Sequence, residues 1–89
     1  MAWKIELEAA ARKELEKLNK PVAQRIVAFL RKRVSHLEDP RSIGQALKGS
    51  ELGNFWKYRV GDYRIICDIQ DKRMVVLALR IGNRREVYR

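Results

Sequence analysis

The punctuation of the second half of the chain limits its fold more than any other feature. Residues 55–60 alternate, with Trp56, Tyr58 and Val60 against Phe55, Lys57 and Arg59, and Gly61-Asp62 follows at once. A period of two marks a half-buried strand, and Gly-Asp suits a two-residue hairpin loop. Residues 63–70 form the return strand, Asp71-Lys72 a second tight turn, and residues 74–81 a third strand. The last is nearly continuous in apolar residues, as expected in the middle of a sheet covered on both sides. Short turns between successive strands predict an antiparallel meander.

The first half carries a different period. Residues 3–8 alternate, with Trp3, Ile5 and Leu7 on one side and Lys4, Glu6 and Glu8 on the other, so they predict one more strand. From Ala9 the pattern turns helical: Ala11, Leu15, Leu18 and Val22 recur at helical spacing. Asn19-Lys20-Pro21 interrupts it, Asn suiting a helix end and Pro the first turn of the next. A second helix is predicted over 21–37, burying Val22, Ile26, Phe29, Leu30, Val34 and Leu37, with Arg25, Arg31, Lys32 and Arg33 mostly off that stripe. Glu38-Asp39-Pro40 stops it. Residues 39–54 read as a connection in which Ile43, Ala46 and Leu47 make a short helical turn docked on the core. The expected fold is α+β: a small twisted antiparallel sheet, made of the N-terminal strand and the three-strand meander, with an α-helical hairpin on one face.

Eighty-nine residues predict a single domain, 1–89, with one core. The one cysteine, Cys67, cannot form an internal disulfide, which favours a reducing compartment. The charged N-terminus lacks the apolar core of a signal peptide, and no apolar run approaches membrane-spanning length, so a cytoplasmic protein is expected. Twenty Lys and Arg against eleven Asp and Glu give a net charge of +9. Such single-sign excess costs self-repulsion and points to a polyanionic partner: nucleic acid, a ribosome or an acidic protein.

A two-residue loop at Gly61-Asp62 sets Arg59 directly opposite Arg64, with Lys57 two residues along on the same face. Like charges directly opposite destabilise a hairpin. Three cations on one patch of sheet therefore read as an anion site, unless Arg64 pairs with Asp62 or Asp68 and the others are merely solvated. Arg84, Arg85, Tyr88 and Arg89 make a tail suited either to stacking on a base and gripping phosphate or to packing Val87 and Tyr88 on the sheet edge. One His (His36) and one Cys give no metal-ligand spacing, and no glycine-rich loop precedes a helix. Cys67, Trp56 and Tyr58 read as core residues, and His36 as a packing or capping residue.

Three runs carry a resemblance to a known family. They are Leu47-Lys48-Gly49; the stretch Phe55-Trp56-Lys57-Tyr58-Arg59-Val60-Gly61-Asp62-Tyr63-Arg64-Ile65-Ile66; and Ile81-Gly82-Asn83-Arg84-Arg85-Glu86-Val87-Tyr88. Together with the upstream strand and helices they resemble the RelE/ParE toxin superfamily over nearly the whole chain. The resemblance implies a RelE-type toxin of a type II toxin–antitoxin system that enters the ribosomal A site and cuts mRNA without a cofactor or metal. It places the basic catalytic residues at Lys57, Arg59, Arg64 and Arg84, the aromatic one at Tyr88, and RNA contacts at Lys48, Arg85 and Arg89. Arg59 stands where the best-known RelE pattern has lysine, and an arginine stays protonated, so this position does not act readily as a base. Like-charged neighbours would ease proton loss from Lys57, letting it serve as the general base. The implied partners are the ribosome with its mRNA and a cognate, RelB-like antitoxin, through which alone the toxin would meet operator DNA; no membrane is involved.

Three other functions compete. A ParE-like gyrase poison shares the fold, but such chains generally lack the full basic set seen here. A plain nucleic-acid-binding module would bind with strong salt dependence and cut nothing. A related branch cutting mRNA with Glu and His would place His where this chain has Asn83.

Overall fold

The computed structural model describes residues 2–47 and 55–83. In chain order the elements are β1 (Lys4–Leu7), α1 (Ala9–Lys17), α2 (Lys20–Ala28), β2 (Gln45–Ala46), β3 (Trp56–Val60), β4 (Tyr63–Gln70) and β5 (Val75–Asn83). The strands form one sheet in the order β1-β5-β4-β3-β2. The α+β class, the meander and the helices packed on the sheet match the expectation from sequence. The sheet is mixed, however, because β1 runs parallel to β5, pairing Lys4 with Val75 and Leu7 with Ala78. A hairpin turn forces antiparallel pairing, but β1 reaches the sheet edge through a long connection and is free of that constraint.

The core lies between the helices and one sheet face. Ile26, Leu30 and Val34 from the second helical segment meet Tyr58, Ile65, Cys67, Val76, Ala78 and Ile81 from the sheet. Trp3 tethers the other end: its backbone N–H donates to Ser35 (2.8 Å) and its indole N–H to the Glu38 carbonyl (3.3 Å). Asn19 does not close α1. Its side chain accepts from the Val22 N–H (3.1 Å) and so caps the start of α2, where Pro21 occupies the first turn. Helical backbone continues past α2 through a π turn at Phe29–Arg33 and a 3₁₀ turn at Val34–His36. The predicted second helix is thus one rod with a widened turn inside it. Among the described residues no helix is long and apolar enough to cross a membrane.

Two expectations about connections fail for local reasons. Ile43, Ala46 and Leu47 do not form a helical turn. Gly44 adopts φ +86°, which breaks a helix, and the segment instead lays β2 along β3, pairing Gln45 with Lys57 and Ala46 with Trp56. The second tight turn is longer than two residues: β4 ends at Gln70, β5 begins at Val75, and Met74 closes the loop at φ +52° with its N–H on the Asp71 carbonyl (3.1 Å).

Candidate phosphate-binding cleft

The β3–β4 hairpin builds the site. Gly61 takes φ +60°, the left-handed position that a two-residue loop opening on glycine requires. That loop fixes the register: Val60 pairs with Tyr63 and Arg59 with Arg64, as the sequence predicted. Directly opposite residues share a face with Cβ atoms about 4.5–5.5 Å apart. Lys57, two residues before Arg59, lies on the same face at roughly 6.5–7 Å along the strand. Alternation sends Trp56, Tyr58 and Val60 to the core and Lys57, Arg59 and the facing Arg64 to the opposite side. Arg59 is exposed and its Nε donates to the Gly61 carbonyl (3.3 Å); Lys57 and Arg64 are half-buried.

These three cations line a cleft of about 720 Å³. Phe29 and Arg33 on the π turn, with Ile43, Gly44 and Gln45, also line it. Tyr58, whose side chain turns to the core side of β3, borders it as well. It is 1 % exposed, its hydroxyl donates to the Pro40 carbonyl (2.6 Å), and its ring meets Phe29 edge-on at 5.7 Å. Burial, helped by neighbouring Cys67, pushes the Tyr58 hydroxyl far above its usual range, so it stays a neutral hydrogen-bond donor. Burial likewise pushes the Cys67 thiol up and leaves it an inert core residue, as expected. His36 is exposed at the end of the rod and does not line the cleft. Among the described residues no three His, Cys, Asp or Glu side chains gather as metal ligands.

The structure therefore brings Lys57, Arg59 and Arg64 together. Lys48, Arg84, Arg85, Tyr88 and Arg89 lie outside the described residues. The sequence reading missed Phe29, Arg33, Gly44 and Gln45. Arg33 was visible as a cation off the buried stripe, but nothing in the pattern said that the rod widens there. Gln45 gave no signal, because its segment reads as a helical turn.

A paired guanidinium and ammonium cluster at the mouth of a cleft can hold a phosphodiester and oppose charge that develops on it. Comparisons with known proteins give the family of the chain. The family described as the ParE toxin of type II toxin-antitoxin system, parDE, matches residues 5–88. Toxin RelG of Mycobacterium tuberculosis is 29% identical over 89 residues, covering 100% of this chain and 99% of the relative. The mRNA interferase toxin RelE of Escherichia coli is 31% identical over 90 residues, covering 99% and 92%. Among solved structures, the toxin-antitoxin complex RelBE2 from Mycobacterium tuberculosis superposes with a TM-score of 0.84 at 26% identity, covering 97% of this chain and 95% of that one. The chain belongs to the RelE/ParE superfamily, the toxins of type II toxin–antitoxin systems. Within that superfamily it is a RelE-like toxin.

Proposed function

We propose that this toxin is a ribosome-dependent endoribonuclease that cuts mRNA in the A site and so inhibits translation in the cytoplasm. The observation that carries the reading is the Arg59–Arg64 cross-strand pair with Lys57 beside it, three cations converging on one cleft. A relative at 31% identity bears the name mRNA interferase, which supports the same chemistry here. In the proposed reaction the ribose 2′-OH attacks the adjacent phosphate. The Lys57 amine takes the 2′-OH proton, and Arg64 opposes the negative charge of the phosphorane, with Arg59 as a second guanidinium. Because arginine does not give up its proton, Arg59 binds and does not act as base. Arg84 assists the leaving 5′-oxygen and Tyr88 stacks on the scissile nucleotide, with Lys48, Arg85 and Arg89 holding RNA. The products are a 2′,3′-cyclic phosphate and a 5′-OH end, formed by a metal-free route.

The proposed partners are the ribosome with its mRNA and a RelB-like antitoxin. A relative solved as a toxin-antitoxin complex supports the latter. With +9 net charge, the toxin suits an acidic, partly disordered antitoxin segment that folds as it covers the basic face, and operator DNA is met through that complex.

The test is induced expression in a bacterial host with mapping of mRNA 5′ ends. Cuts inside translated codons, absent when translation is blocked and lost with Arg64→Ala, are expected. The match to the ParE family favours a second reading, a gyrase poison. Growth arrest with intact mRNA and altered DNA supercoiling would establish that reading and overturn the first.

A further inference from the structure

The rest of the cleft lining takes no part in the proposed chemistry. We infer that it is a nucleotide-reading subsite: Gln45 hydrogen-bonds the edge of a base next to the cleaved phosphate, and Arg33 holds the flanking phosphate. The inference rests on the RNA-cleavage reading and deepens it.

Gln45 pairs with Lys57 across β2 and β3, so the two side chains share a face, with Cβ atoms about 5 Å apart. A base held by Gln45 would therefore adjoin the phosphate held by Lys57. The Gln45 side chain is exposed and takes no hydrogen bond from the described residues, so its amide keeps a donor and an acceptor side by side. That pair can address a base edge with two bonds, as an unstacked single strand permits.

Its backbone is pinned on both sides. The Trp56 indole N–H donates to the Ile43 carbonyl (2.8 Å), and the Leu47 N–H donates to the Phe55 carbonyl (3.0 Å). Between them Gly44 presses so close to β3 that an added Cβ would lie 2.6 Å from the Lys57 carbonyl oxygen. A site fixed before binding loses little freedom when it binds, which is what discrimination between bases needs.

Arg33 reaches the same cleft from the helical side, at the end of the π turn. It is exposed, and no acidic side chain among the described residues pairs with it. A guanidinium of this kind binds phosphate with two parallel bonds. The cleft volume of about 720 Å³ falls within the roughly 300–1,000 Å³ typical of small-ligand sites, room for one nucleotide.

The experiment maps cleavage sites on ribosomes programmed with an mRNA library, using wild-type toxin, Gln45→Ala, Gln45→Glu and Arg33→Ala. The expected result is that Gln45→Ala still cuts but loses preference at one nucleotide position by roughly 5- to 150-fold. Gln45→Glu, which removes the donor and keeps the shape, should favour a different base there. Arg33→Ala should lower kcat/KM alike for all sequences and flatten its salt dependence. An unchanged cutting pattern in both Gln45 variants, or a uniform loss with the pattern intact, overturns the inference while leaving the cleavage reading standing. A wild-type toxin that cuts nothing overturns the cleavage reading and this inference with it.

Discussion

Replacing Gly44 by alanine tests the packing on which the cleft wall depends. At φ +86° an L-residue is strained by about 1–2 kcal/mol. The new Cβ would also lie 2.6 Å from the Lys57 carbonyl oxygen, 2.6 Å from the Trp56 indole nitrogen and 3.0 Å from Tyr58 Cδ1. None of these can retreat freely. The carbonyl belongs to the β3 backbone, the indole is held by Ile43, and Tyr58 is buried and anchored on Pro40. Forcing an extra carbon into such packing costs about 1–3 kcal/mol, so the total loss is about 3 kcal/mol. At the scale of about 4–8 °C per kcal/mol for a domain of this size, the melting temperature falls by roughly 12–24 °C. Gly61→Ala is the control. It meets the same backbone strain at φ +60°, but among the described residues its Cβ would find only the Arg25 guanidinium, with Nη2 at 3.7 Å and Nη1 at 4.0 Å, so the loss is about 1–2 kcal/mol. Urea denaturation followed by tryptophan fluorescence measures both. Equal losses in the two variants would refute the claim that residues 43–45 are clamped on β3.

The carboxylate of Glu14 caps the edge of β5 beyond the end of β1, accepting from the Ile81 N–H (3.0 Å) and from Arg80 (3.1 Å). Partial burial pushes its pKa up, but the bonds from Arg80 and Ile81, with Lys17 nearby, outweigh this and hold it below its ordinary 4.5. Its stabilisation is therefore complete above pH 4.5 and lost as the pH falls through the lower folded value, so the stability gap between wild type and Glu14→Gln should close in acid; a gap that stays constant down to about pH 3 would contradict the assignment. Arg59→Thr keeps a strand-favouring residue while removing one of two facing like charges, so denaturation should find it unchanged or more stable by up to about 1 kcal/mol. On the proposed function, its mRNA cleavage on ribosomes should fall at least tenfold, and a variant that loses stability instead would mean that Arg59 is a structural residue.

The elements that alternation and turn chemistry specify locally were legible. The β3–β4 register followed from Gly61-Asp62 alone, and with it the meeting of Arg59, Arg64 and Lys57. The buried stripe of the second helix was read from spacing, and Ile26, Leu30 and Val34 are all buried. What escaped depends on contacts distant in sequence. The parallel pairing of β1 is set by the free edge of β5, not by any turn. The strand at Gln45–Ala46 exists because Trp56 and Phe55, about ten residues on, satisfy its neighbours' backbone groups. The π turn leaves no mark in a hydrophobic stripe that tolerates either pitch. The segment around β2 and the π turn supply the unread part of the cleft lining, while the β3–β4 hairpin supplies its cations.

That division follows from how a half-buried strand distributes work. On β3 and β4 alternate residues face the helices, and three of them, Tyr58, Ile65 and Cys67, are at most 1 % exposed. Between them Lys57, Arg59 and Arg64 carry charge that the core does not need. Repulsion between Arg59 and Arg64 weakens the hairpin by an amount on the order of 1 kcal/mol at most, whereas burying one large apolar side chain contributes about 1.5–3 kcal/mol. The core face can therefore sustain a cluster of cations that no folding requirement would assemble. On the proposed function, a phosphate bound beside Arg59 and Arg64 would offset that repulsion.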